Sequence, residues 1–178
     1  MTASLVVTAI GPDRPGIVNE LSDVAQRFGA NWAGSRMANL AGQFAGMVHF
    51  EVADDKADAL ADALGALQSS GLRVVIARSK AGAAAPAPAR RRVRLELVGH
   101  DRPGIVRDLS GNLAQRGVSI EELDTHVASA AMSGEHLFKV KAVLAVPADL
   151  PDAELQRGLE TLANEMMVDI EFGEPPGG

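Results

Sequence analysis

Two short segments of the chain combine residue types that could form a binding site. They read Gly11-Pro12-Asp13-Arg14-Pro15-Gly16-Ile17-Val18 and, 88 residues later, Gly99-His100-Asp101-Arg102-Pro103-Gly104-Ile105-Val106, with seven of eight positions identical. Each places a carboxylate and a guanidinium beside glycines, which allow sharp turns and close approach of another group. Where such a segment leads into a helix, the free N–H groups of the first turn attract an anion such as a carboxylate. The repeat therefore indicates either a site for a small anion or a structural turn preserved after duplication.

The residues on either side show which elements position these segments. Apolar runs precede them at 5–10 and 93–98, and the second run alternates apolar and charged residues as a half-buried strand does. Because residues 5–10 are almost all apolar, we expect that strand to be central and buried on both faces. Helical spacing follows each segment, with apolar stripes at Ile17, Val18, Leu21, Val24, Ala25 and Phe28 and at Ile105, Val106, Leu109 and Leu113. Each segment is therefore predicted to be a strand-to-helix turn.

Capping residues give these turns a more detailed prediction. Asp13 and Asp101 are expected to cap the helices, and Pro15 and Pro103 to lie in the first helical turns. Gly29 and Gly117 are expected to end the same helices, because glycine readily adopts the left-handed conformation found there.

The rest of each half follows the same order of elements. Hairpins are predicted from residues 31–40 with 44–52 and from 119–130 with 135–146. A second helix follows each hairpin, with Asp54 and Asp55 as candidate caps of one and Pro151 in the first turn of the other. Strands at 73–77 and 167–172 close the halves. The order βαββαβ, found twice, predicts an α+β protein of two ferredoxin-like modules, each an antiparallel sheet with both helices on one face.

Composition defines the domains and excludes several classes of function. We predict a first domain at 1–79, an Ala/Pro-rich linker at 80–90, a second domain at 91–173 and a disordered tail at 174–178. The net charge of -6 argues against nucleic-acid binding, and the basic run Arg90, Arg91, Arg92 and Arg94 is expected to face solvent in part. Cysteine is absent, residues 1–10 lack the basic start of a secretory signal, and no apolar stretch reaches the ~18 residues of a membrane span. We therefore expect a cytoplasmic protein with no membrane contact.

No pattern in the sequence predicts catalysis. We find no nucleophile–base pair, phosphate-binding glycine loop or metal cluster, and so predict no catalytic residue, metal or cofactor. His126 and His136 lie on two arms of one hairpin, but two histidines without a carboxylate are a weak metal site. His49 is interpreted as a packed sheet residue, and His100 as a candidate for lining a pocket. Trp32 is expected to be half-buried against the first helix or, alternatively, to wall the ligand site.

The repeated Asp-Arg-Pro-Gly-Ile-Val turn within a βαββαβ unit resembles the ACT domain, an amino-acid-sensing module. Two such units with little else are similar to the glycine cleavage system transcriptional repressor group. The resemblance implies binding of a small amino acid at Asp13, Arg14, Pro15 and Gly16 in one half and at His100, Asp101, Arg102, Pro103 and Gly104 in the other. Because Pro12 stands where the second half has His100, the two sites are expected to be unequal.

The same resemblance implies a mode of action. ACT domains pair side by side through their first strands and helices, and the repressor group contacts a DNA-bound activator instead of DNA. We therefore predict an amino-acid-responsive regulator that modulates a transcription factor of amino-acid (glycine) metabolism through protein contact, with the first strands of the two halves paired. An interaction scaffold with vestigial sites, an enzyme, and assembly into a homo-oligomer are left as alternatives.

Overall fold

The computed structural model describes residues 1–79, 89–129 and 135–173. The chain divides into two compact units, residues 1–85 and 86–178. Most of the predicted linker and the whole predicted tail lie outside the described residues. At its C-terminal end the predicted linker overlaps a strand, because the first strand of the second unit begins at Arg90.

The elements follow the predicted order in both units. The first unit comprises β1 Thr2–Pro12, α1 Ile17–Arg27, β2 Asn31–Leu40, β3 Gln43–Ala53, a 3-10 turn Asp54–Lys56, α2 Ala57–Gly65, a 3-10 turn Ala66–Ser70 and β4 Arg73–Ser79. The second comprises β5 Arg90–His100, α3 Ile105–Gln115, β6 Ser119–Ser129, β7 His136–Pro147, α4 Asp152–Met166 and β8 Val168–Gly173. The sheets are antiparallel with strand orders β2-β3-β1-β4 and β6-β7-β5-β8. This confirms the predicted ferredoxin-like fold.

The environment of β1 corrects two predictions. Leu5 and Val7 are buried, whereas Val6 and Ile10 on the opposite face are 37% and 44% exposed, so β1 is central but buried on one face only. Both edges of β1 are hydrogen-bonded, to β3 and to β4, and both edges of β5 are occupied by β7 and β8. The predicted pairing of the two first strands is therefore wrong, because each already has a neighbouring strand on both sides within its own sheet.

Each unit has its own apolar core between sheet and helices. Buried side chains of the first core include Leu5, Val7, Leu21, Phe50, Leu60 and Leu64, and those of the second include Leu95, Leu97, Leu109, Leu113, Leu144 and Leu155. Val18 is 47% exposed and Val106 39% exposed, so the buried stripes of α1 and α3 are narrower than predicted. Gly29 and Gly117 have φ values of +66° and +69° directly after the helices, which confirms the predicted helix ends.

Strand register shows where the two units differ in length. Leu97 follows Ala9 by 88 residues, and the bulges between Trp32 and Gly34 and between Ile120 and Glu122 keep that offset. Beyond the hairpin the offset grows to 94 residues. Val48 pairs with Val7 in the first unit, and at the equivalent position of the second unit Ala142 pairs with Leu95. At the last strands it reaches 96, since Ile76 corresponds to Phe172. The extra residues therefore lie in the β6–β7 connection and between β7 and β8.

Helix starts in the second half of each unit differ from expectation. Asp54 and Asp55 lie in a 3-10 turn, and Lys56 is the cap residue of α2, with no side-chain hydrogen bond to the helix. Pro151 is the cap residue of α4 and stands directly before its first turn. The 3-10 turn separates the two aspartates from the α-helical N–H groups that they were expected to bind.

Candidate ligand-binding turns

The first-unit turn (residues 11–16) and the second-unit turn (residues 99–104) are both stabilised by a left-handed glycine. Gly16 and Gly104 are the cap residues of α1 and α3, with φ values of 93° and 97° and no side-chain cap. Their carbonyls accept the first helical hydrogen bonds, from the amides of Glu20 and Asp108. The prediction that Asp13 and Asp101 cap these helices is therefore wrong, and Pro15 and Pro103 precede the helices instead of lying in the first turns.

A second glycine in each turn is required by packing. A Cβ atom on Gly11 would stand 2.6 Å from the carbonyl oxygen of Gly71, which precedes β4. A Cβ atom on Gly99 would overlap the side chain of Val168, at the start of β8. These glycines let the last strand of each unit pass close to the turn, which fixes the turn against the sheet.

The aspartate backbone anchors each turn to the hairpin beside it. The amide of Asp13 donates to the carbonyl of Gly42 at 3.0 Å, and the amide of Asp101 donates to the carbonyl of His136 at 2.9 Å. Gly42 and His136 are 94 residues apart, the offset of the third strands, so this is the same contact in both units. The aspartate side chains are left to make different contacts.

In the first-unit turn, both charged side chains are engaged by neighbours. Arg14 donates from Nη1 and Nη2 to the two carboxylate oxygens of Glu20, at 2.6 and 2.7 Å, and from Nη2 to the carbonyl of Ser70 at 3.3 Å. Ser70 donates its hydroxyl to Glu20 at 3.2 Å. The side-chain hydrogen bond raises the pKa of Arg14 and lowers that of Glu20, so both groups stay charged. The Asp13 carboxylate accepts a hydrogen bond from Nδ2 of Asn39 at 2.5 Å.

The second-unit turn lacks these partners. Asp108 takes the place of Glu20, and its Oδ2 lies 3.6 Å from Nη1 of Arg102, which also donates to the carbonyl of Pro103 at 3.4 Å. By strand register, Val127 replaces Asn39 and Met166 replaces Ser70. Within the described part of the chain, Nε and Nη2 of Arg102 and the carboxylate of Asp101 contact no partner. Nδ1 of His100 lies 4.0 Å from Oε2 of Glu135.

An open cleft of about 780 Å³ lies beside the first-unit turn. Its lining includes Gly11 and Pro12 from the turn, with Gln43, Gln68 and Arg73 as polar side chains. Sequence reasoning missed Gln68 and Arg73, because they belong to the end of the second helical segment and to β4. Only the register of β4 on β1, in which Arg73 lies opposite Ile10, brings them to the turn.

The remaining candidates do not join the turns. Trp32 packs edge-on against Phe50, with ring centroids 5.2 Å apart, at the opposite end of the sheet. The ring therefore belongs to the first core, and the alternative that it walls the ligand site is wrong. His49 is a packed sheet residue, and its Nε2 forms a hydrogen bond of 2.7 Å with the hydroxyl of Ser4.

The described residues also place the predicted metal and nucleic-acid candidates. His126 lies opposite Lys139, and His136 opposite Ser129, so the two rings are not cross-strand neighbours. No group of three histidine or acidic side chains in the described ranges could hold a metal ion. Three arginines of the basic run pair with acidic residues, Arg91 with Asp152, Arg92 with Glu121 and Arg94 with Glu96. Arg90 donates to the backbone carbonyls of Gly117 and Ala145. None of the helices described is both long and apolar enough to span a bilayer.

Comparison with known proteins agrees with this arrangement of two sheets, each with an equivalent turn. The ACT domain family model matches residues 3–76 and 92–173. The chain therefore belongs to the ACT-domain family, with two domains in tandem. No curated protein matches it significantly.

Two of the solved structures that match this chain cover nearly all of it. One is an unknown protein from Galdieria sulphuraria, with 31% identity, a TM-score of 0.86, and coverage of 99% of this chain and 100% of the other. The second is a protein provisionally named a glycine cleavage system transcriptional repressor, with 22% identity, a TM-score of 0.70, and coverage of 97% of each chain. This chain has the same tandem fold as both.

Proposed function

We propose that the protein is a cytoplasmic, amino-acid-responsive regulator. It binds a free amino acid at the second-unit turn and acts on a protein partner. Membership of the ACT-domain family supports the class of ligand. The single observation that carries the choice of turn is that, among the described residues, Asp101 has no side-chain partner and Arg102 has only a long contact of 3.6 Å to Asp108 and a hydrogen bond of 3.4 Å to a backbone carbonyl, both through Nη1. A free amino acid has one carboxylate and one ammonium group, and these two side chains match them.

The chemistry of recognition follows from the residue types. A guanidinium presents a planar fork of donors that suits a carboxylate, and such charge-assisted hydrogen bonds are stronger than neutral ones. The carboxylate of Asp101 would accept from the ammonium group, and His100 adds a polar ring at the rim. Gly104 keeps the approach open, because a Cβ there would have no atom closer than Oδ2 of Asp108 at 3.8 Å.

The proposed partner is a protein, namely a DNA-bound regulator of glycine metabolism. This rests on the resemblance to the glycine cleavage system transcriptional repressor group and on the net charge of -6, which disfavours direct contact with phosphates. The pairing of Arg91 and Arg92 with acidic side chains supports the same conclusion. We therefore expect the isolated protein to give no sequence-specific DNA footprint.

Titration calorimetry with the common amino acids, glycine first, tests the proposal on the full chain. We expect binding that Asp101→Ala weakens more than Asp13→Ala, because Asn39 already engages the Asp13 carboxylate. Neither aspartate caps a helix through its side chain, so both variants should fold, which far-UV circular dichroism checks. If no amino acid binds, the alternative of an interaction scaffold with vestigial sites replaces this proposal. A larger loss for Asp13→Ala would move the site to the first unit.

A further inference from the structure

We infer that Glu20 and Asp108 decide which of the two duplicated turns can accept a ligand carboxylate. Glu20 occupies the guanidinium of Arg14, whereas Asp108, one methylene shorter, leaves most of the guanidinium of Arg102 available. The inference rests on the proposed function and deepens it, because it makes one turn structural and the other receptive.

The first step concerns the donors of the two arginines. Arg14 uses the forked edge of its guanidinium on one carboxylate, at 2.6 and 2.7 Å. A ligand carboxylate at that edge would have to displace Glu20 and would meet its negative charge. Arg102 has no such bidentate partner among the described residues, because the nearest oxygen of Asp108 is 3.6 Å from Nη1. The same motif residue is therefore occupied in one unit and receptive in the other.

The second step is that other polar neighbours of the first-unit turn are replaced by apolar residues in the second unit. Ser70 holds both members of the ion pair, through its carbonyl to Arg14 and its hydroxyl to Glu20. Its counterpart Met166 has no hydroxyl, and Val127 replaces the amide of Asn39 that engages Asp13. These substitutions, with that of Glu20 by Asp108, remove polar contacts from the second-unit turn. The exposure of the arginines does not explain the contrast, since the side chains of Arg14 and Arg102 are 34% and 41% exposed.

Reciprocal exchange of the two acids in the full chain tests the inference. The variants are Asp108→Glu, expected to close the second-unit turn, and Glu20→Asp, expected to open the first. Asp62→Glu is the matched control, because it adds a methylene at an exposed position of α2. We expect Asp108→Glu to weaken amino-acid binding by about tenfold or more, the effect of losing a charge-assisted hydrogen bond, while the control binds as the parent does.

Modification by phenylglyoxal, which reacts with accessible guanidinium groups, provides a readout that needs no amino acid. Peptide mass spectrometry should show Arg102 modified faster than Arg14 in the parent, slower modification of Arg102 in Asp108→Glu, and faster modification of Arg14 in Glu20→Asp. Equal rates at the two arginines, or binding by Asp108→Glu equal to that of the parent, would overturn the inference. If the parent binds no amino acid but the phenylglyoxal rates differ as expected, the proposed function fails while the difference in arginine availability stands.

Discussion

The faces of the two sheets that point away from the helices differ in the polarity of their side chains. In the first unit this open face carries apolar side chains, among them Val6, Met47 and Val75, which are 37%, 52% and 62% exposed. Register places Arg94, Lys141 and Glu171 at the same positions in the second unit. The two backbones pair in the same order and share their glycine turns and bulges.

This contrast separates what the fold requires from what it permits. The glycines of the turns recur because close packing excludes a side chain there. Core positions stay apolar but change residue, as from Ala9 to Leu97 and from Phe50 to Leu144. Residues on the open face diverge, because the same sheet forms with either apolar or charged side chains there. An exposed apolar strip is typical of a surface that contacts another molecule, and a charged one of a surface that faces water. The shared framework and the variable face can therefore be tested separately.

The largest expected effect is at the framework glycines. Gly11→Ala would bring Cβ to 2.6 Å from the backbone oxygen of Gly71, which cannot move without shifting β4. We expect a loss of about 1–3 kcal/mol in the free energy of unfolding, as in other overpacked sites. Gly99→Ala should also destabilise, because its Cβ would overlap the β-branched side chain of Val168, which is stiff at χ1.

Urea denaturation provides the measurement for this pair. Fluorescence of Trp32, the single tryptophan, follows the first unit, and far-UV circular dichroism follows both. Unchanged stability in both variants would show that the close approach of the last strand is not part of the common framework.

A smaller effect, of opposite sign in the two units, is expected where the helical segments end before the last strands. Gly71 has a φ of +87°, with no atom within 4 Å of the place where a Cβ would stand, and its counterpart Met167 has a φ of +53°. Because left-handed backbone costs a non-glycine residue about 1–2 kcal/mol, Gly71→Ala should destabilise and Met167→Gly should stabilise the protein. Thermal unfolding measures both. A loss of stability in Met167→Gly would mean that the exposed methionine side chain contributes more than its backbone costs.

Exchanging side chains on the open faces should alter stability least and surface properties most. We expect Val75→Glu and Glu171→Val to change the free energy of unfolding by no more than about 0.5 kcal/mol, as surface substitutions do. Binding of an apolar dye such as anilinonaphthalene sulfonate should fall in the first variant and rise in the second. If neither variant changes dye binding, the open face of the first sheet is not an apolar binding surface.

The pH dependence of the first unit provides the finest test. The hydrogen bond from Arg14 lowers the pKa of Glu20, so the unfolded state takes up a proton at a higher pH than the folded state does. The contribution of this ion pair is present above the usual glutamate pKa of about 4.3 and is lost as the pH falls through the lower folded value. Acid titration of Trp32 fluorescence should therefore show a small part of the transition that Glu20→Gln removes. Identical titrations would show that the exposed pair does not stabilise the unit.

Sequence alone predicts the fold well, because a strand-to-helix turn and its flanking periodicities are local signals that occur here twice. The details of the turn are harder. Gly16 is the cap residue of α1, so Asp13 stands three residues before the cap position and its side chain makes no hydrogen bond to the free N–H groups of the first turn. Burial of β1 on one face could not be read from its apolar run, since the open face is apolar too.

The candidate site shows a different limit. The motif residues were identified correctly as neighbours of a strand-to-helix turn, but their availability depends on partners from other elements. Ser70 and Asn39 reach the first-unit turn from positions 56 and 26 residues away from Arg14 and Asp13. Neither contact follows from spacing, because each requires the register of a strand that the motif does not contain. The sequence predicts a difference between the two turns at Pro12 and His100, and the structure shows a further difference in the contacts of Arg14 with Glu20 and of Arg102 with Asp108.

The bulges in β2 and β6 limit which changes of length evolution can accept. Ala33 is the extra residue between Trp32, which pairs with Phe50, and Gly34, which pairs with His49. Because Ala33 itself has no partner in β3, the alternation of side chains between the two faces shifts by one residue at this point. Deleting that one residue would turn the Trp32 ring out of the core, or else turn every later side chain of the strand to the other face. Substitutions can accumulate there, but single-residue deletions cannot. We therefore expect related chains to differ in length at hairpin tips, as the two units already do at the β6–β7 connection.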